Sequence, residues 1–168
     1  FRGGRILALS YDLGRVLEPA SGSAPFPLDT FHIHAFECDD ALIYDHAEAK
    51  WWALGEPPAL DADQGVGAFT LSPFIPEQSA EQYKDAVARI IEYIRAGDVY
   101  QVNLAHRLTA GFSGSPRAFY QSLLRAAGPW HGAYLETADG IVASASPELF
   151  LAYDPATRTL LTRPMKGT

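Results

Sequence analysis

The stretch AYLETADGIVASASPELFLAYDPATRTLLTR, residues 133–163, decides the fold class. Short apolar runs are separated there by turn residues, a pattern that predicts consecutive strands. The predicted strands span residues 133–136, 141–145, 148–153 and 159–163. Asp154-Pro155 marks the turn of the last hairpin. Strands joined by such short turns pair antiparallel, so this region predicts an antiparallel sheet.

Two helical segments lie upstream of these strands. Ser79-Ala-Glu-Gln82 matches a capping box, apolar residues follow it at helical spacing, and Gly97 supplies the C-terminal stop. Ser115-Pro116 offers an N-cap and a first helical residue for a second helix, which ends near Gly128-Pro129. Between the two helices, residues 98–108 alternate in polarity and predict a further strand.

The first part of the chain also predicts strands. Their bounds are residues 6–13, 31–36, 41–45 and 50–54. The first of them is expected to run into a loop closed by Gly14-Arg15. The last two predict a β-hairpin, with Ile43 and either Trp51 or Trp52 on its inner side.

The order of these elements sets the fold class. Strands cluster with a few helices between them, and neither a repeat nor a strand-helix alternation is present. The sequence therefore predicts an α+β fold with mostly antiparallel sheets and packed helices.

Composition excludes several classes of protein. Of the 168 residues, 48% are hydrophobic, which is enough for a core. Thirteen basic and 20 acidic residues give a net charge of −7 without long charge runs, which disfavours nucleic acid and anionic membranes as partners. The apolar runs are far shorter than the ~20 residues of a membrane span, and we expect a cytoplasmic location. Because the chain opens at Phe1 and its one methionine is Met165, we expect a piece of a longer protein.

Several weak motifs do not point to chemistry. His32 and His34 share a strand face but lack further metal ligands, and a lone Cys38 reads as a free structural thiol. Gly65-Val-Gly67 and Gly111-Phe-Ser-Gly114 lack the spacing of a phosphate loop and are interpreted as loop glycines.

The polar face of the 98–108 segment leaves two interpretations open. Gln101, Asn103 and Arg107 fall on that face. They either border a pocket or form an ordinary solvated face.

The last hairpin carries the strongest candidate site. Ser146-Pro147-Glu148 opens it, and Arg163 to Thr168 closes it, so Glu148 is predicted to lie across from about Arg163 and to share the open end with Lys166. A lysine beside a glutamate is a candidate nucleophile and acid/base pair. Gly167 permits close approach of a ligand, and Thr168 can donate to a carboxylate. On spacing alone, a surface salt bridge is the commoner explanation.

Four motifs together resemble a known family. They are Tyr11-Asp-Leu-Gly-Arg15, Gly97-Asp-Val-Tyr-Gln-Val-Asn-Leu104, Ser146-Pro-Glu148 and Thr162-Arg-Pro-Met-Lys-Gly-Thr168. The chain resembles the chorismate-utilising enzymes of the anthranilate synthase component I-like family, and within it most closely the aminodeoxychorismate synthase branch. The similarity runs through the whole chain in order. It implies that the α+β region is part of that family's larger β-sandwich fold.

The resemblance implies a reaction on chorismate. Its C4 hydroxyl would be replaced by an amino group to give 4-amino-4-deoxychorismate, on the way to para-aminobenzoate and folate, with Mg²⁺ holding the substrate and a glutamine amidotransferase subunit supplying ammonia. Lys166 would attack C2 of the ring, Glu148 would transfer protons, and Gly167 and Thr168 would touch the substrate. In the similar anthranilate synthases an alanine usually stands where Lys166 stands.

Two departures and three alternatives accompany this resemblance. Leu149 stands where the family commonly has arginine, and Met165 replaces a common isoleucine. The resemblance divides the chain into an N-terminal sheet region, residues 1–76, and the start of the chorismate-binding catalytic region, residues 77–168. Because the family's Mg²⁺ ligands lie downstream of residue 168, this chain alone is expected to be inactive. The alternatives are an anthranilate synthase, an isochorismate synthase, and a non-catalytic binding module with the same fold.

Overall fold

The computed structural model describes residues 4–18, 33–57 and 67–164. Three helices lie in these ranges: α1 Leu13–Leu17, α2 Ala80–Ala96 and α3 Pro116–Ala127. The strands are β1 Gly4–Leu9, β2 Ile33–Cys38, β3 Ala41–Asp45, β4 Lys50–Leu54, β5 Phe69–Leu71, β6 Ile75–Pro76, β7 Leu108–Thr109, β8 Phe112–Gly114, β9 His131–Thr137, β10 Gly140–Ser146, β11 Leu149–Asp154 and β12 Thr159–Arg163. They pair antiparallel as β1–β2, β3–β4, β5–β8, β6–β7, β9–β10 and β11–β12. The α+β class and its antiparallel pairing are thus confirmed.

The chain divides into two compact units. One unit combines Phe1–Gly65 with Leu123–Thr168 and contains the hairpins β3–β4, β9–β10 and β11–β12 together with the pair β1–β2. The other unit, Val66–Ser122, contains α2 and the pairs β5–β8 and β6–β7.

The two long helices begin and end as the sequence predicts. The Ser79 hydroxyl accepts a hydrogen bond from the Gln82 amide at 3.2 Å, and the Gln82 side chain accepts one from the Ser79 amide at 2.8 Å, which completes the capping box of α2. Gly97 ends α2 with a φ of 83°, in the left-handed region. The Ser115 hydroxyl accepts from the Ala118 amide at 3.2 Å and caps α3. Ala118, at 9% exposure, is the one apolar residue that is buried in the described part of the chain.

The hairpin β9–β10 has an unbroken register. It runs from Gly140 opposite Thr137 to Ser146 opposite His131. The Thr137 hydroxyl donates to the Gly140 carbonyl at 2.8 Å and closes the turn. Beside it, the Asp139 carboxylate lies 3.2 Å from Nε2 of His34, so the turn contacts β2.

Two predicted strands are shorter in the structure than the sequence suggested. The 98–108 segment forms a strand only at Leu108–Thr109. Extended backbone becomes a strand only where a neighbouring strand pairs its polar groups. The neighbour here, β6, has two residues and therefore pairs only Leu108 and Thr109. The predicted strand 6–13 ends at Leu9, and Gly14 and Arg15 lie in α1. An ion pair of 3.1 Å between the Asp12 and Arg15 side chains supports that helical turn.

Two further interpretations need correction. The β3–β4 hairpin has its predicted bounds, but Trp51 and Trp52 are 61% and 55% exposed, so neither forms an inner side. Trp51 and Trp52 face opposite sides of the hairpin because they are consecutive in β4. On each side the indole ring is left largely uncovered. Residues 112–114, interpreted as part of a glycine loop, form β8. Gly114 is required there, because its φ is 103° and a Cβ would clash with the Ala68 carbonyl oxygen.

Candidate active site

The predicted acid/base residue lies in the connection between two hairpins. Strand β10 ends at Ser146 and β11 begins at Leu149, so Pro147 and Glu148 form the whole link. Ser146 and Glu148 are half-buried. The Ser146 hydroxyl donates to the Glu148 carbonyl at 3.3 Å, across Pro147. A proline and a side-chain hydrogen bond therefore both restrict the backbone that carries Glu148.

The register of β11–β12 places Glu148 at the open end of the last hairpin. Leu149 pairs with Arg163, so the expected partner of Glu148 was off by one residue, and Glu148 is level with Pro164. The open-end placement itself follows from this pairing. Both Arg163 and Pro164 are exposed.

The ladder of this hairpin contains a β-bulge. Leu149 pairs with Arg163 and Ala152 pairs with Leu161, so Phe150 and Leu151 together lie opposite Thr162. The Thr162 hydroxyl donates to the Phe150 carbonyl at 2.7 Å, a short and therefore well-formed hydrogen bond. The motif analysis did not single out Thr162 as a separate functional residue. The change of register between the two ends of the hairpin, which the structure shows, draws attention to Thr162.

The other predicted site residues lie outside the described residues. These are Lys166, Gly167 and Thr168, together with Met165 of the same motif. Their roles stay predictions. Leu149, at the position where the family commonly has arginine, is half-buried at the first residue of β11.

The two candidate histidines and the polar residues of the 98–108 segment lie far from Glu148 in the sequence. His34 contacts Asp139, whereas His32 lies outside the described residues. Asn103 lines a cavity of about 410 Å³ with the apolar face of α2, whereas Gln101 and Arg107 do not line it. Arg107 instead approaches Glu77 at 3.7 Å.

Residues 4–18, 33–57 and 67–164 contain neither a cluster of metal-binding side chains nor a helix that could cross a membrane. No three His, Cys, Asp or Glu side chains gather there in a way that could hold a metal ion. The expected Mg²⁺ therefore has no ligand set among these residues. None of the helices in these ranges is long and apolar enough to cross a membrane.

Comparison with known proteins identifies the family. The model of the chorismate binding enzyme family matches residues 5–168. This chain belongs to the chorismate binding enzymes. The resemblance seen in the four motifs is thereby confirmed.

Members of two branches are similar to this chorismate binding chain. Aminodeoxychorismate synthase component 1 of Klebsiella aerogenes is 35% identical, over all of this chain and 39% of the relative. Anthranilate synthase component 1 of Thermus thermophilus is 31% identical, over all of this chain and 40% of the relative. The chain thus spans about two fifths of the length of the curated relatives it matches.

A solved structure supports the fold of this chorismate binding chain. Anthranilate synthase component I from Streptococcus pneumoniae superposes with a TM-score of 0.77 over 92% of this chain and 41% of the other, at 21% identity. At that identity the likeness establishes the fold, which is the anthranilate synthase component I-like fold expected from the sequence.

Proposed function

We propose that this chain belongs to an enzyme that converts chorismate and ammonia into 4-amino-4-deoxychorismate and water. The observation that carries the proposal is the lysine of Arg163-Pro-Met-Lys-Gly-Thr168, at a position where the similar anthranilate synthases usually have alanine. The 35% identity to an aminodeoxychorismate synthase component 1 supports the same branch.

The proposed chemistry divides one difficult displacement into two easier ones. The neutral Lys166 amine attacks C2 of chorismate, both ring double bonds shift toward C4, and the C4 hydroxyl leaves as water after Glu148 donates a proton to it. Ammonia then attacks C4, both double bonds shift back, and the C2–N bond breaks to release Lys166 as the neutral amine. The Glu148 carboxylate accepts a proton from the incoming amine, which restores its starting state. Positioned proton transfer of this kind contributes typically about 10²–10⁴ in rate.

The position of Glu148 in the last hairpin and the short length of chain from Pro164 to Lys166 support these two roles. Glu148 is level with Pro164 at the open end of β11–β12. Lys166 follows Pro164 by two residues, a chain length of at most about 7 Å. A half-buried carboxylate and a lysine separated from its level by so short a length of chain can serve one substrate.

The partners of the proposed reaction follow from its chemistry. Ammonia is the nucleophile at C4, and we expect a glutamine amidotransferase subunit to supply it. The names of the relatives, which are component 1 proteins, favour a second component. The expected Mg²⁺ would hold the substrate carboxylate through residues outside those described.

Product analysis of the full-length protein tests the proposal. Chorismate and an ammonium salt are supplied, and the products are separated by liquid chromatography and identified by mass. We expect 4-amino-4-deoxychorismate, and a loss of 100-fold or more in Lys166→Ala, because a catalytic nucleophile is removed. Lys50→Ala is the matched control, since Lys50 is exposed and pairs only with nearby Glu48 at 3.4 Å in the β3–β4 turn region.

A second candidate has specific support. Anthranilate synthase relatives match at 31% identity, close to the 35% of the aminodeoxychorismate branch. Anthranilate as the product would assign the protein to that branch and refute ours. Unchanged chorismate turnover in both Lys166→Ala and Glu148→Ala would instead favour a binding module without this chemistry.

A further inference from the structure

The connection that carries Glu148 is held by strand pairing at its two ends and not between them. Ser146 is the last paired residue of β10, and Leu149 is the first paired residue of β11. Neither Pro147 nor Glu148 belongs to either ladder. Pairing therefore fixes where the connection starts and ends, whereas the direction of the Glu148 side chain depends on the backbone torsions between these points.

Two local restraints act on those torsions. The ring of Pro147 fixes its own φ at about −65°. The Ser146 hydroxyl donates to the Glu148 carbonyl at 3.3 Å, which restrains the peptide plane that follows Glu148 and hence its ψ angle. Because the Cα–Cβ bond leaves the backbone in a direction set by the two peptide planes at that residue, this hydrogen bond also restrains the direction in which the Glu148 side chain leaves the chain.

The surroundings of this hydrogen bond favour it. Ser146 and Glu148 are half-buried, so water competes for the hydroxyl and the carbonyl less than it would on an open surface. No ladder amide replaces the hydroxyl as a donor, because Glu148 lies outside the paired residues of β11. The bond is longer than the roughly 2.7–2.8 Å typical of hydroxyl donors, so we expect its effect to be modest.

Ser144 offers a comparison within the same strand. It is a second half-buried serine of β10, and alternation places it on the same strand face as Ser146. It lies two residues inside the ladder, opposite Ala133, where paired residues on both sides fix the backbone. A serine that acts only on strand β10 would therefore behave like Ser144, whereas one that acts on the connection would not.

We propose that Ser146 is a positioning residue, whose hydroxyl holds the connection at Pro147 and Glu148 in one conformation and thereby sets the direction of the Glu148 carboxyl group for proton transfer. The inference rests on the proposed function, because Ser146 acts only through the role assigned to Glu148. Ser146 does not touch the reacting atoms in this scheme.

The test compares three serine variants in the full-length protein. Ser146→Ala removes the hydroxyl, and we expect kcat for chorismate to fall about 5-fold, the size expected for one hydrogen bond. KM should stay within about twofold, because proton transfer is weakened and substrate binding is not. Ser146→Thr keeps the hydroxyl and should keep kcat within about twofold of the parent. Ser144→Ala makes the same substitution inside the ladder and should leave kcat unchanged.

A double-mutant cycle with Glu148→Gln separates positioning from general stability. Glu148→Gln already removes the proton transfer that Ser146 supports, so adding Ser146→Ala should lower kcat no further. Additive losses would overturn the inference. Equal kcat for Ser146→Ala and Ser144→Ala would overturn it as well, and with Glu148→Gln inactive either result leaves the proposed function standing. If Glu148→Gln keeps full activity, the proposed function fails, and this inference fails with it. Should Ser146→Ala unfold below the assay temperature in a thermal melt, Ser146→Cys, whose thiol is a weak donor, replaces it with the same expectations.

Discussion

Two consecutive hairpins of this chain have different construction. The β9–β10 hairpin pairs seven residues of each strand without interruption, from a two-residue turn at Ala138-Asp139. The β11–β12 hairpin turns through four residues, 155–158, and contains a bulge before its open end. The regular hairpin carries no predicted catalytic residue, whereas the bulged one begins directly after Glu148.

The comparison shows how a small irregularity serves a site. A regular ladder maximises hydrogen bonding and fixes side-chain faces by alternation alone. A bulge gives up part of one ladder and re-aims the strand beyond it. In this chain the irregular hairpin begins directly after the Ser146-Pro-Glu148 motif and ends within the Thr162–Thr168 motif.

The largest expected contrast between the hairpins is catalytic. Glu148→Gln in the full-length protein should reduce kcat for chorismate by 100-fold or more, because the amide cannot transfer the proton. Glu136→Gln makes the same change in β9 of the regular hairpin, where the side chain is exposed and accepts from the Tyr134 hydroxyl at 3.1 Å. We expect it to keep kcat within about twofold, since an amide oxygen can still accept that bond. Equal losses in both variants would remove the functional distinction between the hairpins.

The regular hairpin should be more sensitive in its turn. Gly140 has a φ of 145°, which side chains rarely adopt, and nothing lies within 4 Å of a Cβ placed there. Gly140→Ala should therefore lower the free energy of unfolding by about 2 kcal/mol, from backbone strain alone. Gly14→Ala is the control, because Gly14 has the same open surroundings without a positive φ. Urea unfolding of both variants measures the difference, and equal values would contradict the strain argument.

A smaller effect is expected from the hydroxyl that closes the same turn. Thr137→Val removes the hydrogen bond to the Gly140 carbonyl, which should cost about 1 kcal/mol in the free energy of unfolding. Thr159→Val, at the first residue of β12, should cost less in the same denaturant measurement. The reverse order would show that the bulged hairpin depends more on its threonines than the regular one does.

The smallest effect concerns the turn of the bulged hairpin and depends on pH. Hydrogen bonds from the Thr157 hydroxyl at 2.8 Å and the Ala156 amide at 2.9 Å lower the pKa of Asp154. Because the folded pKa lies below the unfolded value, this contribution to stability is present above the unfolded value of about 3.9 and is lost as the pH falls through the folded one. NMR titration of the Asp154 carboxyl should show the lowered pKa in the parent and a return toward the usual value in Thr157→Val. An unchanged pKa in that variant would contradict the assignment.

Local signals predicted most of the fold. The capping box at Ser79 and the glycine at position 97 fix α2, and strand-forming runs bounded by turn residues predict β3, β4 and β12 to the residue. The 98–108 segment shows the limit, because alternation reports which faces a strand would have and not whether a partner strand exists. The exposure of Trp51 and Trp52 depends in the same way on what covers the hairpin.

The roles of the candidate site residues stay predictions, whereas the place of Glu148 in the fold can be compared with the expectation from the sequence. The Ser-Pro-Glu motif identified Glu148, and counting from the turn placed it at the open end within one residue of its observed level. The error comes from the turn, which spans residues 155–158 and is centred one residue later than the count assumed. The bulge reduces the resulting difference from two residues to one. It lies in Leu149-Phe150-Leu151, a run of large apolar residues with no polar residue to mark a change of face, so no pattern in the sequence could reveal it.

Intact-mass spectrometry of the full-length protein, quenched during turnover of chorismate, tests the central claim most directly. We predict a covalent adduct of the dehydrated substrate that peptide mapping assigns to Lys166 and that Lys166→Ala lacks. Active turnover with no adduct, or with an adduct that maps to another residue, would contradict the proposed nucleophile.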